Sequence, residues 1–163
     1  MKNVLFILLA LFLTACSQQQ EEPIPLTEHG EIAKRYLEDK GYKVLSYEGE
    51  RTMVFTRSDL TKSPHKEFWA VQDTEPDLYL DKKLLLVKFL IKHHPLDDEF
   101  HEGKTSVTVM MWNQEIIGGT SFPYSKKYDL VGGESSLDGR TFEEVHGDWE
   151  TWSQEWDNEY KEK

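Results

Sequence analysis

The densest group of side chains able to bind a metal lies in one polar segment, His93–Glu102. This segment contains three histidines and four carboxylates, and its candidate ligands are His93, His94, Asp97, Asp98 and His101. Imidazole nitrogens suit Zn²⁺ or Cu²⁺, so a loop of this composition could fold around one divalent ion. The spacing contains neither HExxH nor CxxC and matches no established ligand pattern. The alternative interpretation is a solvated loop between two buried strands.

A second acidic segment is similar to the start of a calcium-binding loop. Asp73, Glu75 and Asp77 alternate like the first ligands of such a loop. However, Leu78 stands where the turn glycine is needed, and Leu84 occupies the position of the final acid. Both differences argue against an EF-hand. A looser calcium site and a plain exposed turn both stay open at this point.

The sequence offers little support for catalysis. It contains no GxSxG nucleophile elbow and no glycine-rich loop that opens a helix to hold phosphate. The paired acids Glu143 and Glu144 would point apart on a helix, so they do not form a glycosidase pair. We therefore expect a protein that is not an enzyme.

Four aromatic residues near the C terminus follow helical spacing, and they are Trp149, Trp152, Trp156 and Tyr160. Spacing of three or four residues places them on one face of a helix. Packed inward, this stripe forms the core face of the last helix, which is the commoner outcome. Exposed, Trp149, Trp152 and Trp156 form an interaction surface for a protein partner or a stacking platform for a glycan.

The N-terminal segment predicts where the protein is located. Lys2 precedes an apolar run from Val4 to Phe12, and the residues that follow are Leu13-Thr14-Ala15-Cys16. Those four residues resemble a bacterial lipobox, the motif after which a signal peptide is cleaved and whose cysteine receives a lipid. The apolar run is shorter than the ~20 residues that a membrane-spanning helix needs. We therefore expect residues 1–15 to be a signal peptide that is removed.

Cys16 is the only cysteine of the chain, so it has no partner for an intramolecular disulfide. As the lipid attachment point it would carry a diacylglyceryl group, whose two acyl chains are enough for stable anchoring. Residues 16–26 are polar, contain two prolines and predict a flexible tether. Residues 27–163 have a suitable length for one domain. The predicted location is the extracytoplasmic face of the cell membrane.

The chain is strongly acidic, with 19 Lys and Arg residues, 30 Asp and Glu residues and a formal net charge of −11. Such a chain repels phosphate backbones, so we expect no nucleic-acid partner. Aromatic residues make up 12% of the sequence, which is too many for a chain that is disordered throughout. The expected partners are the membrane, through the lipid, and an envelope protein. No cofactor is expected beyond that covalent lipid and the candidate divalent metal ion.

Local patterns predict two helical regions around a set of strands. Thr27 should cap a helix that runs to about Lys40 and stops at Gly41, and Gly147 should break the C-terminal helical region. The predicted strands cover residues 44–47, 52–56, 67–72, 84–93, 104–112 and 115–122. The first two should form a hairpin, as should the last two, and Gly118-Gly119 is a candidate bulge. We expect an α+β fold with an N-terminal helix, an antiparallel sheet of about five to seven short strands and a C-terminal helix packed on the sheet.

Five segments, in chain order, carry a resemblance that covers most of the chain after residue 16. They are AKRYLEDKGYKVLSYEGE (Ala33–Glu50), WAVQDTEPDLYL (Trp69–Leu80), KHHPLD (Lys92–Asp97), IGGTSFP (Ile117–Pro123) and SLDGRTFEEVHG (Ser136–Gly147). Together they resemble a family of small Gram-positive cell-surface lipoproteins with a conserved C-terminal domain of unknown function. The resemblance implies a surface location and the extent of the domain, and it implies no activity or catalytic residue.

The sequence therefore predicts a membrane-anchored, non-catalytic extracytoplasmic lipoprotein that binds a protein or another envelope component. The alternative is a metal- or small-ligand-binding lipoprotein that uses the His93–Glu102 loop.

Overall fold

A computed structural model of the chain describes residues 24–100, 102–127 and 131–161. The predicted signal peptide, Cys16, most of the tether and His101 lie outside these residues. The helices are α1 (Glu28–Asp39), α2 (His65–Trp69), α3 (Phe142–His146) and α4 (Trp149–Tyr160). The strands are β1 (Lys43–Met53), β2 (Leu84–Lys92), β3 (Thr105–Trp112), β4 (Glu115–Pro123) and β5 (Ser135–Ser136). No helix of the described ranges is long and apolar enough to cross a membrane.

The five strands form one antiparallel sheet in the order β1-β2-β3-β4-β5. Helices precede and follow the strands, so the predicted α+β fold is confirmed, at the lower end of the predicted number of strands. The predicted N-terminal helix is confirmed as α1. The Thr27 side chain accepts a hydrogen bond from the Gly30 backbone N–H at 2.9 Å and caps this helix as predicted. The predicted break at Gly147 separates α3 from α4.

Two local predictions were wrong. Residues 43–53 form one long strand instead of a hairpin, because the segment pairs along its whole length with β2. The supposed turn glycine, Gly49, instead follows a shift in the β1–β2 register and adopts a φ of +97°. Residues 67–72 are not a strand, since the first three belong to α2 and the next two form a turn. In α2 the buried side chains Lys66 and Trp69 are three residues apart, as on one face of a helix.

The β3–β4 hairpin has the predicted turn and the predicted bulge. Asn113 and Gln114 both have positive φ angles, of 49° and 67°, which is the geometry that a two-residue hairpin turn requires. Past the turn, the register of the two strands shifts between Met110 and Met111, and Met110 pairs with Gly118. The shift leaves one extra residue on β4 and bends the strand next to the predicted glycine pair.

The sheet is covered on both faces, by different elements. On one face, Ala33 and Leu37 of α1 pack against alternate residues of the strands, including Val87 and Phe89. We call this the α1 face. On the other, the α4 face, a second core includes Leu84, Leu86, Met110 and Ile117 from the strands, Phe55, Leu60 and Trp69 from the β1–β2 connection, and Trp156 and Tyr160 from α4. The second core covers only part of its face.

Candidate functional site

The uncovered part of the α4 face carries a row of polar side chains. Lys88, Thr108 and Thr120 lie side by side on β2, β3 and β4, because Lys88 pairs with Thr108 and Thr108 pairs with Thr120. Ser106 pairs with Phe122 one step further along the same face. These residues line a groove with a cavity volume of about 680 Å³. This volume lies within the range of roughly 300–1,000 Å³ that small-molecule sites occupy, and we call the cavity the sheet groove.

Two cations stand at the β1–β2 side of the sheet groove. Arg51 of β1 lies opposite Leu86, which makes it the diagonal neighbour of Lys88 on the same face. Both side chains are exposed and line the groove. Neither takes part in an ion pair among the described residues. The groove therefore presents two exposed positive charges on a strongly acidic protein.

One of the carboxylates that line the groove, Glu134, lies on the β4–β5 side. Glu134 directly precedes β5, which pairs with β4, and its side chain is hydrogen-bonded to that of Thr120. Partial burial raises the pKa of Glu134, while the Thr120 hydrogen bond and the charges of Arg51 and Lys88 act in the opposite direction. Charges of both signs therefore line the groove, because Glu48 and Glu50 of β1 belong to its lining as well.

The third component of the sheet groove is aromatic. Phe122 and Tyr124 are half-buried and line the groove together with Pro123, at the end of β4. The Tyr124 ring also lies under the Lys104 ammonium, with the nitrogen 5.6 Å from the ring centroid. An apolar part of a ligand could rest on this wall while its polar groups meet the charged sides.

Two of the five predicted metal ligands, His94 and Asp97, have a structural role in the polar loop that follows β2. His94 is only 4% exposed, and its Nδ1 accepts a hydrogen bond from the Leu96 backbone N–H at 3.2 Å. Its Nε2 then carries the proton and donates to the Leu137 carbonyl at 3.1 Å. The Asp97 carboxylate accepts hydrogen bonds from the backbone N–H groups of His93 and His94 and from the Thr105 hydroxyl. Both side chains hold the loop against the sheet.

The other predicted metal ligands form no cluster within the described part of the chain. The side chains of His93 and Asp98 are exposed, and His101 lies outside the described residues. Within the described ranges, no group of three or more His, Cys, Asp or Glu side chains is arranged to hold a metal ion. Metal binding by His93, His94, Asp97, Asp98 and His101 stays a prediction. The sheet groove is the candidate site with a defined cavity.

The buried His94 gives a testable pH dependence. Burial lowers its pKa, and the Leu137 carbonyl, Asp97 and Asp138 only partly offset this effect. In the unfolded chain the His94 imidazole takes up a proton near pH 6.5, whereas in the folded protein it does so only at a lower pH. The free energy of unfolding therefore keeps its full value above about pH 7 and decreases as the pH falls below that value.

We expect His94→Gln to lower the free energy of unfolding by about 1–3 kcal/mol at pH 8, since two backbone groups lose their partner. The variant should also lose less stability than the wild type between about pH 8 and pH 5.5. Urea unfolding at both pH values measures this, with His93→Gln at the exposed neighbouring position as the control. An equal pH-dependent loss in wild type and His94→Gln would contradict the assignment.

The tryptophan stripe is buried at its end and exposed at its start. Trp156 is 8% exposed, and its indole N–H donates to the Leu60 carbonyl at 2.7 Å. Tyr160 is fully buried, and its hydroxyl donates to Asp77 at 2.6 Å. Trp152 is half-buried, whereas Trp149 is 39% exposed. The structure therefore places Trp156 in the core and leaves only Trp149 and Trp152 of the predicted interaction surface accessible.

The sheet groove was not predicted from the sequence, although the sequence carries one signal for it. Polar residues such as Lys88 and Thr108 alternate with buried apolar residues in β2 and β3, which indicates that one side of the sheet is partly open. Nothing in that alternation shows that the open side is concave or that Glu134 faces it.

No protein-family model, no curated protein and no solved structure matches this chain. The resemblance to Gram-positive surface lipoproteins stays a prediction.

Proposed function

We propose that this protein is a lipid-anchored, non-catalytic binding protein of the extracytoplasmic face of the cell membrane, and that its folded domain binds an envelope component in the sheet groove. The observation that carries the proposal is the groove itself. It combines a cavity of about 680 Å³ with convergent charged, hydroxyl and aromatic side chains. A concave site with a few placed polar groups is the usual form of a ligand-binding site.

The side chains in the groove favour binding over catalysis. The hydroxyls of Ser106 and Thr108 lie on its floor, but no histidine or cysteine belongs to the described residues that line it. A hydroxyl nucleophile needs an adjacent base to be activated. Of the three lining glutamates, Glu50 is already engaged by the hydroxyls of Thr27 and Tyr47. The other two, Glu48 and Glu134, line the groove together with Arg51 and Lys88, which is a suitable arrangement for holding a polar or charged ligand in place.

The position of the groove fits a ligand close to the membrane. The described chain begins at Ile24, whose Cδ1 atom would lie 3.8 Å from a Cβ atom built on Gly49, and Gly49 lines the groove. Ile24 is eight residues beyond Cys16. An extended segment of that length reaches at most about 29 Å. A lipid on Cys16 would keep the groove within that order of distance from the bilayer, where envelope components are concentrated.

Site-resolved acylation of lysine amines tests whether the groove is occupied. Lys88 and Lys82 are both exposed, but only Lys88 lines the groove. The full chain, in a non-ionic detergent, is treated with an amine-acylating reagent in the presence and absence of solubilised envelope extract. We expect the extract to slow modification of Lys88 at least threefold relative to Lys82, as measured by mass spectrometry. Equal rates at both lysines would contradict the proposed function.

The anchor itself gives a separate prediction. We expect the wild-type chain, expressed in a bacterium fed with an alkyne-labelled fatty acid, to incorporate the label, and Cys16→Ser to show only background signal. The thiol is the acceptor of the lipid, and a serine hydroxyl does not replace it. In-gel detection after coupling to a fluorophore measures the outcome, and Ser17→Ala serves as the neighbouring control that keeps the label. Label on Cys16→Ser, or none on the wild type, would refute lipid anchoring.

A further inference from the structure

Polar side chains make up most of the lining of the sheet groove. They carry carboxylate, hydroxyl, guanidinium and ammonium groups, whereas the purely apolar side chains of the lining are those of Leu86, Phe122 and Pro123. Most small-molecule sites are lined mainly by apolar side chains and contain only a few polar groups. A ligand that fits this groove therefore has hydrogen-bonding groups over most of its surface and one limited apolar face.

Hydrogen-bond donors and acceptors are interspersed around the groove. Glu50 and Arg51 are consecutive residues of β1, and both line it. The charges of Arg51 and Lys88 also act on Glu134, on the β4–β5 side. Carboxylates only accept hydrogen bonds, guanidinium and ammonium groups only donate them, and hydroxyls do both. A ligand with a net charge of either sign is repelled by some of these groups, whereas a neutral ligand whose own groups both donate and accept can pair with all of them.

The floor of the groove is the face of the sheet. Lys88 lies on β2, Ser106 and Thr108 lie on β3, and each of these two strands is paired with a neighbour on both sides. A peptide that binds as an added strand needs the free backbone groups of a sheet edge. The backbone of these inner strands is already paired within the sheet, so recognition on the floor depends on side-chain hydroxyls and charged groups.

The apolar part of the groove is its aromatic wall. Phe122 and Tyr124, both half-buried, line the groove at the end of β4. Aromatic faces carry partial negative charge and attract the partial positive charge of C–H groups. A pyranose ring has such a C–H face, and the hydroxyl groups around its rim both donate and accept hydrogen bonds. The two kinds of surface on a sugar thus correspond to the two kinds of surface in the groove.

We infer that the sheet groove binds a neutral oligosaccharide segment of an envelope glycan. The inference rests on the proposed binding function and names its ligand class. Sugar hydroxyls pair with the charged side chains of the lining, and such hydrogen bonds are stronger than those between neutral groups. The cavity of about 680 Å³ is larger than one sugar ring needs, so a segment of a few linked rings fills it better.

Calorimetric titration of the full chain tests the inference in a polyoxyethylene detergent, which has no sugar headgroup. The neutral probes are maltotriose, cellotriose and triacetylchitotriose. The comparison probes are trigalacturonic acid, which is an anionic trisaccharide, and trialanine, which is a peptide. We expect at least one neutral trisaccharide to bind at least about tenfold more tightly than both comparison probes, because only a neutral polyhydroxyl ligand pairs with every charged group of the lining.

Two groove variants test the contacts of the trisaccharide. Glu134→Gln should weaken its binding about fivefold, because an amide oxygen is a weaker acceptor than a carboxylate, whereas the same change would strengthen binding of an anion. Thr108→Val should weaken binding to a similar extent by removing a floor hydroxyl. Glu155→Gln and Thr52→Val, at exposed positions outside the groove, are the matched controls and should leave the affinity unchanged. Circular dichroism of each variant establishes that the fold is kept.

The outcomes separate this inference from the proposed function. Tighter binding of trigalacturonic acid or trialanine than of every neutral trisaccharide would overturn the neutral glycan in favour of a charged sugar or a peptide. If no neutral trisaccharide binds while envelope extract still protects Lys88, the ligand class is wrong and the binding function stands. If no trisaccharide binds and Lys88 is not protected, both fail.

Discussion

Gly119→Ala is expected to lower the free energy of unfolding by at least about 3 kcal/mol, which is beyond the usual range for a surface substitution. A Cβ atom at this position would stand 2.3 Å from the Thr108 carbonyl oxygen and 3.1 Å from a methyl group of Leu137. The first neighbour is backbone of the adjacent strand, so it cannot move aside without breaking the sheet. Gly119 also donates its N–H to the Gln72 side chain at 2.8 Å, which fixes its own position.

Urea unfolding followed by far-ultraviolet circular dichroism measures this effect. The control is Gly133→Ala, because a Cβ atom at Gly133 would meet no other atom within 4 Å. We expect the control to change stability by less than about 0.5 kcal/mol. If both variants unfold at the same urea concentration as the wild type, the close approach of β4 to β3 at Gly119 is wrong.

The elements that the sequence predicted correctly are those with strong local signals. Helix α1 has a capping threonine at its start and apolar residues at helical spacing, and its cap is as expected. The β3–β4 hairpin has two alternating runs separated by two turn residues. In both cases the decisive interactions are formed between residues that are close in sequence.

The failures concern interactions between distant residues. The Glu48-Gly49-Glu50 segment has the composition of a turn, but pairing with β2 keeps it within one long strand. The apolar run that includes Phe68 and Trp69 is too short for periodicity to distinguish a strand from a helix. In both segments, tertiary packing determines the secondary structure.

Interactions between distant residues also limit what the sequence can predict about the candidate sites. His94 has the side chain of a metal ligand, but its Nε2 is bound to the carbonyl of Leu137, 43 residues away. The second core, which includes residues of α2 and α4, covers Leu84 and Leu86 but leaves Lys88 exposed. The sheet groove lies in this uncovered part of the face. Coverage of a sheet face by separate helices is not encoded in the pattern of any single strand.

The second large effect concerns the tryptophan stripe, which the sequence left open between core and interaction surface. Trp156→Ala is expected to lower the free energy of unfolding by about 3–5 kcal/mol, because the variant loses a large buried side chain and leaves a cavity. The Trp156 ring lies 4.8 Å from the Trp152 ring and 4.5 Å from the Tyr160 ring, measured between centroids. Its indole N–H is also the partner of the Leu60 carbonyl. For a chain of this size, the melting temperature should fall by about 10 °C.

Two companion variants separate the contributions to this effect. Trp156→Phe keeps an aromatic ring but leaves the Leu60 carbonyl without its donor, so it should cost less than Trp156→Ala and still more than about 1 kcal/mol. Trp149→Ala removes a ring that is 39% exposed, and we expect a loss of less than about 1 kcal/mol. Thermal unfolding monitored at 222 nm compares the three variants without relying on tryptophan fluorescence. Equal losses for Trp149→Ala and Trp156→Ala would contradict a stripe that is exposed at its start and buried at its end, since burial is the property that distinguishes the two positions.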